Sequence, residues 1–167
     1  MQKDFERLFH RAEDHYLHPL EMISFRKHLG LLKQRLSTYH YLRDNEAVIF
    51  QTVADRLESE MGDTPVSQLE QGLLHWISIL RYSGMAMLLS NPEYLQYRLL
   101  EWLGDMVNAY ELRPVETRIA ALLTDYLENA LPADDFALLK PFLTQAETTV
   151  LQSSPAPESP ELAPLES

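Results

Sequence analysis

Residues 64–95 read TPVSQLEQGLLHWISILRYSGMAMLLSNPEYL, and this stretch decides the fold class. Thr64-Pro65 and Asn91-Pro92 each set a side-chain acceptor before a proline, the pattern of an N-cap followed by a first helical residue. Between them Val66, Leu69, Leu73, Trp76 and Leu80 recur at steps of three and four, one face of a helix. The continuation through Met85, Met87, Leu88 and Leu89 is apolar most of the way round, so this is expected to be the most buried helix.

Upstream, Met22, Phe25, Leu29, Leu32, Leu36 and Tyr39 alternate the same steps, the stripe of a long helix packed against others. Asp44 is placed to cap a separate helix with Val48, Ile49, Val53, Leu57 and Met61 inside, closed by Gly62. The first segment, Met1 to Tyr16, carries Phe5, Leu8, Phe9 and Ala12 on one narrow face and ends at His18-Pro19. Downstream, the segment from Asn91 to Leu112 puts Leu95, Leu99, Trp102 or Leu103, Met106 and Tyr110 inward. Pro114 opens a helix with Val115, Ile119, Leu122, Leu123 and Tyr126 inside, ending near Leu131-Pro132. A last helix falls between Asp134 and Leu151, with Pro141 in its first turn or kinking it. No four residues alternate as a half-buried strand does, so the fold class is all-α. Residues 1–151 read as one helical domain. Residues 152–167, QSSPAPESPELAPLES, are rich in proline, serine and glutamate, too poor in apolar surface to offset their ordering entropy, and read as a disordered tail.

The chain has 167 residues, 46% of them hydrophobic, which suits one core. A formal net charge of −11 repels phosphate backbones, so no nucleic-acid partner is expected. With no cysteine there is no disulfide, thiolate metal site or thioether-linked cofactor. The charged N-terminus lacks the apolar core of a secretion signal, and no stretch suits a transmembrane segment. A soluble, cytoplasmic protein is expected.

Leu80-Arg81, Glu93-Tyr94-Leu95 and Tyr110-Glu111-Leu112-Arg113-Pro114 together resemble phycobiliprotein subunits, the light-harvesting proteins of cyanobacterial and red-algal phycobilisomes. Those subunits carry a Leu-Arg, a Glu-Tyr-Leu and a Phe-Glu-Leu-Ser-Pro corner at spacings that agree to about one residue. Ala12-Glu13 falls where the family has Ala-Asp. The likeness runs from about Phe5 to Leu151, through short motifs, and implies a globin-like helical fold with an N-terminal helical extension. The family's pigment-bearing cysteine, arginine and aspartate correspond to Gly72, Leu74 and His75, so the resemblance implies a divergent member without covalent bilin. It also implies pairing in which an acidic hairpin residue meets the helix arginine of a partner, which gives Glu13 and Arg81 with Phe5, Leu8 and Phe9 as the expected protein interface. Partners would be phycobiliprotein-like subunits or phycobilisome and photosystem components, a homodimer included, with a peripheral position at the thylakoid surface.

Other chemistry finds little material. Glu13, His15 and His18 have no second ligand pair at a metal-site spacing, and Pro19 interrupts the geometry. A haem needs an axial ligand, and 91–111 contains no histidine. His75, beside Trp76 on an apolar helix, reads as a hydrogen-bonded, partly buried histidine. Neither a nucleophile elbow nor a phosphate loop is present. No enzyme, cofactor or metal is expected. The expected function is protein binding in phycobilisome or photosystem assembly, attachment or regulation. The alternative is a sensor holding a hydrophobic small molecule or free tetrapyrrole among Trp76, Met85, Trp102 and Met106.

Overall fold

A computed structural model describes Arg7, residues 10–13, 15–109 and 112–152. Among the described residues every regular element is helical: α1 (Pro19–Glu60), α2 (Val66–Leu89), α3 (Pro92–Leu95), a π-helical turn (Gln96–Leu100), α4 (Glu101–Ala109), α5 (Arg113–Ala130) and α6 (Ala133–Gln152). The all-α reading therefore stands. Residues 10–13 are helical too, whereas Phe5, Leu8, Phe9, Tyr110 and the tail from Ser153 lie outside the described residues. Gln152, where the tail was expected to begin, closes α6.

α2 is the hub. It packs against α1, α5 and α6, while α1 also lies on α5 and α6 also covers α4. Trp76, Ile79, Leu80, Ala86 and Met87 of α2 are essentially without solvent contact, as are Ile49, Val53 and Leu57 of α1 and Ile119, Leu123 and Leu127 of α5. Val66, placed inward by its spacing, is exposed instead; it is the first residue of α2, with Pro65 as the N-cap rather than the first helical residue.

The largest departure from the sequence reading is α1. Asp44 does not start a helix; one helix of 42 residues runs from Pro19 to Glu60, about 63 Å at the α-helical rise. Nothing at 40–44 stops it: no glycine or proline lies there, and Asp44 turns aside to Arg43, whose Nε donates to its Oδ1 at 2.8 Å. Only the second half meets the core, with Val48 outside it at 58% exposure.

The segment after Asn91 starts as its sequence predicts. The Asn91 side chain accepts from the backbone N–H groups of Glu93 and Tyr94 at 3.1 and 3.3 Å. The π turn then inserts one extra residue into the helical repeat. Leu95, Leu99 and Leu100 all point inward, and the buried register moves on to Leu103 and Val107. Trp102, at 49% exposure, is thereby left outside, which decides between Trp102 and Leu103. In α5 the inward end of the stripe is Leu127, with Tyr126 half-buried. In α6 Pro141 sits in the helix interior, not the first turn. Both Pro141 and Ala137, whose carbonyl loses its donor, are exposed, so the missing bond falls on the side where water can replace it.

Candidate functional site

The first half of α1 presents what the rest of the molecule hides. From Pro19 to Ser37 no residue is buried. Met22, Leu29, Leu32 and Leu36, expected to pack against other helices, are 42–45% exposed, and Leu20 and Ile23 more so. Phe25 and Leu31 are half-buried on the inner side, and Gln34 ties this half to the body by donating to Asp135 of α6 at 2.8 Å. Gly30 sits among these residues with nothing within 4 Å of the place a Cβ would take. An exposed glycine inside a helix is less stable than alanine by about 0.5–1 kcal/mol, and no contact among the described residues accounts for it.

Where this face reaches the core it opens into a cleft of about 380 Å³ between α1 and α2, walled by Tyr39, Leu42, Arg43 and Glu46 on one side and Arg81, Met85 and Tyr94 on the other. Arg81 donates to both carboxylate oxygens of Glu46, Nε at 2.7 Å and Nη2 at 2.6 Å. The guanidinium holds the Glu46 carboxyl below the usual carboxylate range, chiefly through these hydrogen bonds. The Arg81 side chain stays 64% exposed, so solvent screens the pair and limits its stabilising contribution to about 1 kcal/mol or less.

Glu13, the expected counterpart of Arg81, is exposed, with its carboxylate 3.6 Å from His10. The structure does not bring Glu13 and Arg81 together within the chain; Arg81 is satisfied by Glu46, which spacing alone did not single out. The signal was there: Glu46 lies one turn from Leu42 and Phe50, both buried on the same helix, which marks a carboxylate at the edge of the inner face.

The three positions that the resemblance would align with a pigment cradle hold other residues. A Cβ on Gly72 would stand 2.8 Å from side-chain methyl groups of both Ile119 and Val115 of α5, so any larger residue there requires those side chains to shift. Leu74 is 63% exposed. His75 is buried, and its Nδ1 lies 2.6 Å from Oε1 of Glu116, a carboxyl with no solvent exposure at all. Burial pushes the Glu116 carboxyl up, against the opposing pull of His75. Glu116 Oε2 and the Trp76 indole nitrogen are both buried without a hydrogen bond of regular geometry among the described residues, although the indole also draws the Glu116 carboxyl down. The reading of His75 as a hydrogen-bonded histidine stands; its partner was missed, although Glu116 lies on the apolar stripe of α5 beside Val115 and one turn before Ile119 and Ala120, where a lone carboxylate needs a polar mate.

Of the residues expected to line an internal ligand pocket, Met85 borders the cleft, while Trp76, Trp102 and Met106 do not. Trp76 is packed in the core and Trp102 faces outward. Among the described residues no group of three His, Cys, Asp or Glu side chains stands ready to hold a metal ion, and no helix is long and apolar enough to cross a membrane.

No protein-family model matches the chain, and no curated protein matches it.

Proposed function

We propose that this protein is a pigment-free relative of phycobiliprotein subunits that acts by binding other proteins in phycobilisome or photosystem assembly, attachment or regulation. The observation that carries the reading is the first half of α1, a helix whose leucines at 29, 32 and 36 lie open to solvent. A soluble domain gains by covering such a face, since apolar area removed from water contributes about 25 cal/mol per Å². The closed approach at Gly72 and the His75–Glu116 pair support a role without a bilin, because neither leaves a thioether anchor or a cation for a propionate. Arg81, exposed at the mouth of the cleft with Glu46, remains the residue we assign to the rim of the contact, with Glu13 and the apolar side chains Phe5, Leu8 and Phe9.

The test is retention of purified phycobilisome cores, rods or solubilised photosystems by the immobilised full chain at low salt, alongside its solution mass by light scattering. Retention that falls with Glu13→Lys or Arg81→Gln supports the reading. A chain that stays monomeric and retains none of these components overturns it. Glutamine is the better replacement at Arg81, since Arg81→Glu would set a second carboxylate against Glu46 and destabilise the fold itself.

The cleft supports a second reading, a sensor that takes a hydrophobic small molecule or free tetrapyrrole between Tyr39, Met85 and Tyr94. A volume of about 380 Å³ lies within the range of small-molecule sites. A stoichiometric compound extracted by organic solvent and identified by mass spectrometry would support it.

A further inference from the structure

The exposed half of α1 carries a second pattern besides its apolar residues. From Met22 to Arg43 the sequence has five arginines and lysines and neither aspartate nor glutamate, in a chain whose net charge is −11. Arg26, Lys27 and Lys33 are exposed on this segment. Met22, Leu29 and Leu36 are seven residues apart with Leu32 between the last two, a seam that repeats every 3.5 residues as the a and d positions of a coiled coil do. On the same repeat Arg26 and Lys33 occupy the flanking e position, where charges choose the partner. Gly30, bare of neighbours, adjoins the middle of the seam and lets a second backbone approach closely.

We infer that this face docks an amphipathic helix of another protein, one with an apolar seam edged by aspartate and glutamate. The inference rests on the protein-binding reading above and specifies the chemistry of the partner. Charge excludes the nearest alternatives. A second copy would meet this face through a two-fold axis, patch against identical patch, setting Arg26 and Lys33 against the same cations. An anionic bilayer attracts the cations but asks for a broad apolar arc, whereas the seam is narrow and edged at once by charge. The acidic tail of the chain itself carries Pro155, Pro157, Pro160 and Pro164, a spacing that no helix lying in the seam accommodates. At its Tyr39 end the seam runs into the cleft lined by Leu42, Met85 and Tyr94, which gives the docked helix an anchoring pocket.

The experiment titrates the full chain into a fluorescent peptide of about four heptads, leucine at a and d and glutamate at e and g, which self-repulsion keeps monomeric at neutral pH. The expected result is saturable binding that weakens as salt rises and drops about tenfold or more with Leu29→Glu or with Lys33→Glu, the helical circular dichroism of both variants matching the parent. A peptide with lysine at e and g should not bind. Absence of binding, or equal binding of the lysine peptide, overturns the inference. Three further outcomes also overturn it by naming another occupant. These are a dimer in light scattering that Leu29→Glu dissociates, flotation with phosphatidylglycerol vesicles that Leu29→Glu abolishes, and tighter peptide binding when Glu158, Glu161 and Glu166 become glutamine or Phe5, Leu8 and Phe9 become serine. Retention of phycobilisome components with no peptide binding sinks this inference alone. Peptide binding without such retention sinks the assembly reading alone.

Discussion

The two halves of α1 obey one sequence rule and meet opposite fates. Residues 22–39 and 49–57 both place apolar side chains at steps of three and four, yet Ile49, Val53 and Leu57 are at most 1% exposed while Met22, Leu29, Leu32 and Leu36 are above 40%. The second half lies on α2 and α5, and cross-links to α5 through Arg56 to Asp125 at 2.8 Å and through Arg118 to Glu60. The first half is tied to α6 through Gln34 to Asp135. Helical periodicity thus specifies that a face is apolar and leaves open what it faces, which depends on how many other helices reach that far along a helix of about 63 Å.

Substitution in the two halves should separate them most. Ile49→Ala or Leu57→Ala removes methyl groups from sites that cannot easily collapse, and should lower unfolding free energy by about 2–5 kcal/mol in urea titrations. Leu29→Ala or Leu36→Ala should change it by about 0.5 kcal/mol or less. A large loss at Leu29 would show that this half is packed in solution and would break the comparison.

Two glycines sharpen the same contrast. Gly72→Ala forces a Cβ to within 2.8 Å of Ile119 and Val115 and should cost about 1–3 kcal/mol from overpacking, offset in part by better helix propensity. Gly30→Ala meets nothing and should raise the unfolding free energy by about 0.5–1 kcal/mol, while weakening any partner that crosses at this point.

The two carboxylates tied to α2 should respond to pH with opposite sign. Glu116 is raised by burial, so the folded chain holds its proton more tightly than the unfolded one. Its contribution is intact below the ordinary glutamate range and is lost as pH rises from there through the raised folded value. Glu46 is lowered, chiefly by its hydrogen bonds from Arg81. Its contribution is present above that range and fades as pH falls through the lowered value. Chemical denaturation at a series of pH values should therefore show Glu116→Gln flattening the loss on the neutral side, and Arg81→Gln flattening the loss on the acid side. The second effect should be the smaller, because the surface pair is screened by solvent.

Much of the architecture was legible because it rests on local chemistry. Asn91-Pro92 and the ends of α5 follow from capping side chains and proline, whose preferences act within one turn. The buried registers of α2 and α5 follow from apolar spacing, apart from Val66 and the exchange of Tyr126 for Leu127 at the inward end. The candidate site was legible in part: Arg81 and His75 stood out, while their partners Glu46 and Glu116 are 35 and 41 residues away in sequence and no local pattern joins them. The continuity of α1 across Asp44 was misread because a good capping residue is equally at home on the outside of a helix when a neighbouring arginine takes its carboxylate.

The sequence alone determined that this chain is all-α, where most of its helices begin and end, and that the absence of cysteine closes off thioether and thiolate chemistry. Those are properties of single residues and their near neighbours. The tertiary structure decided that half of the apolar stripe of α1 stays in water, that the π turn sends Leu103 rather than Trp102 into the core, and that Arg81 grips Glu46. Each of these depends on which surfaces run out of neighbours and which distant side chains meet, and burial and pairing at long range are fixed only when the whole set of helices packs at once.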